Sequence, residues 1–179
     1  VYLYKEKAVV FIVDMQERLF KTMNKKDELL KNSLKLLKGC KAFNLSIVAT
    51  EQYPQGLGPS LPEIRPFLET GKTFSKLSFS GYTPQVSTHL KGLNKKDIIL
   101  LGIEAHVCVW QTCRDLIQDG YQVFMPMECV SSRSYTHILN ALKLMEKIGA
   151  YVTNIETILF DLLKTKENPE FRFISELIK

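Results

Sequence analysis

The stretch DIILLGIEAHVCV, residues 97–109, decides the fold. Its first five positions form a short β-prone run without polar alternation, closed by Gly102. From residue 105 to 118 the apolar spacing becomes that of a helix. A strand apolar at successive positions is buried on both faces, as in a parallel sheet covered by helices. In such sheets the ligand site lies beyond the carboxyl ends of the strands, where the strand order reverses. The turn at 102–108 is therefore the first place to look for chemistry.

The same alternation continues outward. Residues 8–13 (AVVFIV), 46–50 (SIVAT), 72–74, 121–125 (YQVFM) and 151–153 read as strands. Helical patterns fit 26–43, with Leu29, Leu30, Leu34, Leu37 and Cys40 on one stripe, then 83–90 and 134–148. A last helical pair covers 155–163 and 171–178, divided by Asn168-Pro169, and its second member is apolar enough to dock on its own domain or on a neighbour. Residues 51–66 are rich in Pro and Gly and read as a loop. Strands alternating with helices predict the α/β class with a parallel sheet. No repeat or linker divides the 179 residues, so one domain, 1–179, is expected.

The balance of 45% hydrophobic and 24% charged residues is that of a globular domain. The net charge of +5 comes from scattered lysines with no run longer than two. Solvated helix faces explain them better than a nucleic-acid surface, so no nucleic acid partner is expected. No apolar run approaches the ~20 residues of a bilayer span, so no membrane partner is expected either. Cys40, Cys108, Cys113 and Cys129 form no C-x-x-C pair, which suits a reducing compartment. The first residues carry charges and no long apolar core, and residue 1 is not Met. The expectation is a cytoplasmic protein, or a mitochondrial one if a targeting segment precedes the sequence.

Three residues after strands stand out. Asp14 follows a fully apolar run, where a carboxylate is costly unless paired, although Asp also suits a helix N-cap or turn. Cys108 lies in the turn into a helix, where the helix dipole and free N–H groups favour thiolate and can hold an oxyanion. The alternative for Cys108 is the common one of a buried apolar thiol, the reading that suits Cys40, Cys113 and Cys129. Lys76 sits among apolar and small residues in FSKLSFSGY, 74–82, and the residues alone do not select it over Lys72.

The strand followed by Asp14-Met15-Gln16, the lysine of Lys76-x-x-Phe79-Ser80 and the block GIEAHVCV at 102–109 resemble the isochorismatase-like cysteine hydrolases. TEQYPQGLG at 50–58, SSRS at 131–134 and NPEFRFISELIK at 168–179 are similar to the isochorismatase domain-containing subgroup. The resemblance covers the whole chain in order. It implies a three-layer fold, a six-stranded parallel sheet of order 3-2-1-4-5-6 with helices on both faces. It implies a catalytic triad of Asp14, Lys76 and Cys108. It also implies a non-proline cis peptide at Ile103–Glu104, with the backbone N–H groups of Glu104 and Cys108 as an oxyanion hole, and a homo-oligomer, dimer or tetramer.

One departure matters. Nicotinamidases of this superfamily carry Asp-x-His after the second strand, plus another His, to hold a metal. Here the sequence reads Thr50-Glu-Gln-Tyr-Pro, and the three histidines, His89, His106 and His137, stand at unrelated positions. No metal and no other cofactor is expected, and nicotinamide is not the expected substrate.

The reading is therefore a metal-independent hydrolase of a small-molecule amide or carbamoyl compound, acting through a thioester on Cys108. Vinyl ether hydrolysis, as with isochorismate, and a non-enzymatic role with a residual site are the alternatives. Gln16, Phe20, Gln52, Tyr53, Phe79, Tyr82 and His106 are nominated to line the substrate pocket. Ser131 to Ser134 are expected to cap the helix that starts near Tyr135.

Overall fold

The computed structural model describes residues 2–179. In chain order the elements are β1 (Ala8–Val13), α1 (Glu17–Phe20), α2 (Lys26–Ala42), β2 (Ser46–Gln52), α3 (Pro54–Leu57), α4 (Arg65–Leu68), β3 (Lys72–Lys76), α5 (Pro84–Leu93), β4 (Asp97–Ile103), α6 (Trp110–Gln118), β5 (Gln122–Pro126), β6 (Val130–Ser131), α7 (Tyr135–Lys147), β7 (Tyr151–Thr153), α8 (Ile155–Leu163) and α9 (Phe171–Leu177). The main sheet runs β3-β2-β1-β4-β5-β7, and every pairing is parallel.

The expected order holds, but the sheet has seven strands rather than six. The extra one, β6, pairs Val130 with Gly102 and Ser131 with Ile103. Two residues give no periodicity to read. They align because the chain leaving β5 runs beside the last residues of β4.

β1 and β4 are buried at every position because both faces are covered. Strand alternation divides β1 between two cores. Ala8, Val10 and Ile12 pack with Leu36 and Leu37 of α2 and with Leu159 and Leu162 of α8. Val9, Phe11 and Val13 pack with Val86 and Leu90 of α5, Cys113 and Leu116 of α6, and Ala141 and Met145 of α7. The apolar patterning thus gives a three-layer sandwich with the sheet in the middle.

Local expectations change in four places. The loop at 51–66 contains the turn α3, whose Pro54 suits a first helical position. The helix expected from residue 105 begins as a π-helical turn, Ala105–Val109, before α6 continues it. Ser134 occupies the N-cap of α7, but its hydroxyl meets Thr136 Oγ1 at 2.8 Å instead of a backbone N–H. Ser131 does not cap that helix either, since its hydroxyl donates to Asn24 O at 2.7 Å. Finally, α9 docks on its own domain. Ile174 is fully buried, Phe171, Leu177 and Ile178 pack on the same core, and Lys35 Nζ donates to Ile178 O at 3.2 Å.

Among the described residues no helix is long and apolar enough to cross a membrane.

Candidate active site

The strand order reverses between β1 and β4, which makes their carboxyl ends the topological switch point. Asp14 follows β1 and the Cys108 turn follows β4. At the junction Gly102 has φ +137°, and a Cβ there would come within 2.1 Å of Val13 O. Only glycine lets the two strand ends approach this closely.

Asp14 is fully buried, with its backbone in the left-handed region at φ 50°. Asp tolerates that conformation better than most residues. Its carboxylate accepts Thr50 Oγ1–H at 2.8 Å on Oδ1 and Lys76 Nζ–H at 2.6 Å on Oδ2. The Cys108 side chain is close enough to help pull the Asp14 carboxyl down. Asp14 is therefore neither a helix cap nor a surface turn residue.

Lys76 closes β3, and its side chain is completely buried. Besides Asp14, its ammonium meets Gln52 Oε1 at 2.7 Å, Phe79 O at 3.0 Å and Ser78 O at 3.1 Å. Lys72, at the other end of β3, is exposed. Burial distinguishes the two lysines where the residues alone did not.

Cys108 is buried, with 7% of the residue exposed. The Ile103–Glu104 peptide is cis, and the Glu104 backbone helps pull the Cys108 thiol down. Glu104 O accepts the N–H groups of Val107 at 3.1 Å and Val109 at 3.2 Å, which fixes the turn around the thiol.

The electrostatics reverse one expectation. Burial, then the Asp14 carboxylate, pushes the Cys108 thiol up to about 12, against the smaller opposing pull of Lys76 and the Glu104 N–H. The helix start does not produce a resting thiolate, because desolvation and a neighbouring negative charge outweigh it. Burial also raises the Asp14 carboxyl above its ordinary value, while Lys76, Thr50 and Cys108 pull it back. The site thus gathers a raised thiol, a raised carboxyl and the Lys76 side chain bonded to that carboxyl at 2.6 Å.

The nominated pocket residues separate into two groups. Three are engaged in packing or in hydrogen bonds of their own. Phe20 belongs to the buried core cluster. Gln16 is fully buried and spends its amide on the backbone: Nε2 donates to Gln52 O at 2.9 Å and Gly58 O at 2.7 Å, and Oε1 accepts Gln52 N–H at 2.7 Å. Tyr82 turns toward Asp119, just before β5, and so toward the opposite rim of the sheet. Aromatics and amides after strands serve packing and chain clamping as readily as ligand contact.

The other four remain at the catalytic rim. Gln52 touches Lys76 directly. Tyr53 and Phe79 are 51% and 57% exposed on the flanking loops. His106 is half-buried, with Nδ1 2.9 Å from Ser132 Oγ and its ring 4.2 Å from that of His137. Burial, then His137 and Arg133, hold His106 below the usual imidazole range against the pull of Glu104. Among the described residues no group of three or more His, Cys, Asp or Glu side chains is placed to hold a metal ion.

Two residues of the site went unnominated. Thr50 holds Oδ1 of Asp14. Thr112, fully buried on α6, donates to Cys108 O at 2.6 Å and accepts Gly81 N–H at 2.7 Å. The only available sign was position: Thr50 at the end of a strand, Thr112 four residues after the cysteine.

Comparison with known proteins agrees with this fold. Residues 8–157 match the isochorismatase domain family. Isochorismatase domain-containing protein 2 of Xenopus laevis is 34% identical over 172 residues, 96% of this chain and 83% of that protein. The structure titled MAR1 ribonuclease from Caenorhabditis elegans superposes with a TM-score of 0.94 at 34% identity, covering 99% of this chain and 92% of that one. The YcaC product of Escherichia coli, titled an octameric hydrolase of unknown specificity, shares the fold with a TM-score of 0.93 at 23% identity, covering 99% and 89%.

Proposed function

The chain belongs to the isochorismatase family of hydrolases, and on that premise we propose that it is a cysteine hydrolase of small amides, carbamoyl compounds or related acyl substrates. The observation that carries this reading is the buried pair of Asp14 and Lys76, 2.6 Å apart, close enough to Cys108 for Asp14 and Cys108 to influence each other's proton affinity.

In the proposed reaction Asp14 takes the Cys108 proton as sulfur attacks the substrate carbonyl carbon. The proton does not leave in advance, because the thiol rests near 12. Proton loss and C–S bond formation therefore proceed together. Lys76 opposes the effect of burial and favours the ionised form of Asp14 before attack. The N–H groups of Glu104 and Cys108 hold the tetrahedral oxyanion, at about 3–4 kcal/mol for each donor removed. Protonated Asp14 then gives its proton to the departing amine. A water molecule, deprotonated by the same carboxylate, hydrolyses the thioester and restores the thiol. No step is routed through a metal.

The test is a panel of small amides, carbamoyl compounds, isochorismate and an RNA oligonucleotide, the last because the worm structure's title names a ribonuclease. Each is assayed with wild type and Cys108→Ala. An acyl adduct on Cys108 by mass spectrometry, lost together with turnover in Cys108→Ala, supports the reading. Turnover retained by Cys108→Ala overturns it. The homo-oligomer remains part of the proposal, supported by the fold shared with a protein titled octameric, and native mass spectrometry tests it.

A further inference from the structure

An ammonium has three protons to give, yet four oxygens surround Lys76 Nζ: Asp14 Oδ2, Gln52 Oε1, Phe79 O and Ser78 O, at 2.6, 2.7, 3.0 and 3.1 Å. Two of these are backbone carbonyls, fixed by the loop that follows β3. Asp14 and Gln52 are the two close partners. Any change in the charge on Asp14 therefore alters how Lys76 is shared with Gln52.

The orientation of the Gln52 amide is determined by its neighbours. Its Nε2 donates to Leu77 O at 2.9 Å, which leaves Oε1 facing the ammonium. Its main chain is equally constrained, since both its N–H and its C=O are bonded to the buried Gln16 amide. Gln16 thus holds residue 52, and residue 52 holds Lys76. This is more support than a side chain needs for ordinary surface packing.

We propose that Gln52 is a positioning residue that tunes the Asp14–Cys108 proton pair through Lys76, with Gln16 as the clamp that fixes it. When Asp14 is anionic it shares the ammonium with Gln52. When Asp14 has taken the thiol proton, its hold on Lys76 weakens, and the Gln52 carbonyl retains the ammonium. The ammonium therefore stays in place through the proton transfer. This inference rests on the triad reading above and assigns a role within the same site.

The groups that face this cluster are few. They are Asp14 at the end of β1, Lys76 at the end of β3 and Cys108 in the turn after β4. Glu51, beside Gln52, is directed away, accepting Ser60 N–H and Ser60 Oγ–H at 2.7 Å each. Glu104 is engaged by Arg133 at 3.0 Å, and His106 faces Ser132 and His137.

The experiment follows the pH dependence of Cys108 alkylation by iodoacetamide, read at that residue by mass spectrometry, and needs no substrate. Gln52→Glu is isosteric and places a second carboxylate on Lys76. It is expected to move the alkylation profile up by about one pH unit. Gln52→Leu removes the carbonyl dipole, leaves the ammonium to the proton pair and is expected to move the profile down. Gln16→Leu, which frees residue 52, is expected to broaden the profile. Thermal unfolding of each variant, with Gln52→Asn as a shortened polar control, identifies any that fails to fold. Folded Gln52→Glu and Gln52→Leu variants with unshifted profiles, or shifted in the same direction, overturn the inference. Failure of the parent reading looks different: there Asp14→Asn leaves the profile unmoved.

Discussion

Thr112 Oγ1 donates to Cys108 O at 2.6 Å while accepting Gly81 N–H at 2.7 Å. One buried hydroxyl thus joins the helix that carries the sulfur to the loop whose carbonyls hold Lys76. A Cβ on Gly81 would lie 3.1 Å from Phe11 and from Thr112 and 3.4 Å from Thr50, so the joint is tightly packed.

Thr112→Val keeps the shape and removes both bonds. Two buried backbone groups then lose their partner, a loss of about 1–3 kcal/mol for each if nothing replaces it. Stability in urea is expected to fall by about 2 kcal/mol. The rate constant for turnover should fall more than substrate affinity, because the sulfur loses its fixed position. Thr112→Ser retains the hydroxyl and should recover most of both. Equal losses in the Val and Ser variants would contradict the assignment.

Cys108 reactivity should be strongly pH-dependent. With the thiol held up to about 12, its alkylation by iodoacetamide should rise steadily through the range around pH 7–10 without a plateau. The Asp14 carboxylate is one of the two largest causes of that elevation. Asp14→Asn removes the negative charge and leaves Lys76, so the profile should move down and alkylation at neutral pH should quicken. Turnover should be lost in the same variant, since the base is gone. A variant more reactive toward iodoacetamide and inactive toward substrate separates reactivity from catalysis. A plateau near neutral pH in wild type would contradict the resting thiol.

Lys76→Met leaves Asp14 buried without its counter-ion. Breaking one side of a buried ion pair typically costs about 3–5 kcal/mol. The carboxyl, already raised by burial, then rises further. A folded-state value above the unfolded one means the folded protein binds more protons in the interval between them. Stability therefore falls as pH rises through that interval. Urea unfolding of Lys76→Met should show this decline as pH rises above the ordinary carboxylate range, more steeply than wild type. The double variant Lys76→Met, Asp14→Asn should regain part of the loss and lose the pH dependence. A double variant less stable than Lys76→Met would contradict the pairing.

Ile174→Ala tests whether α9 belongs to the domain. Ile174 is fully exposed to the core and 0% exposed to solvent. Its truncation should cost about 2–5 kcal/mol, measured by urea unfolding, with the Cys108 alkylation profile of the folded protein unchanged. An unaltered midpoint would mean the helix contributes nothing to the fold.

Much of the architecture was legible because β1 and β4 are apolar at nearly every position, and only a doubly covered parallel strand has that pattern. The same pattern exposed Asp14 as the first polar residue after such a strand, and the turn after β4 as a site. Lys76 was not legible from residue properties. It shares β3 with Lys72, and only depth in the fold separates them; the resemblance to a family selected it. That Gln16 is spent on the backbone, Phe20 on the core and Tyr82 on Asp119 could not be read in advance, because sequence gives proximity to a strand end without giving direction. Thr112 could not be found, since a threonine on a helix reads as a polar surface residue until the loop at Gly81 is placed against it. The electrostatic balance at Cys108 was only partly legible for a related reason: the helix start is local, whereas burial and the Asp14 charge come from distant parts of the chain.

The absence of a side chain at Gly102 reaches beyond packing. Since a Cβ there would meet Val13 O at 2.1 Å, the span from Asp14 to Cys108 is dictated by two backbones in contact rather than by adjustable groups. Loops bearing Tyr53 and Phe79 can drift, lengthen or be redesigned for new molecules while that span stays constant. Retargeting such a scaffold should therefore begin at the rim, and any library that randomises position 102 should return mostly unfolded clones.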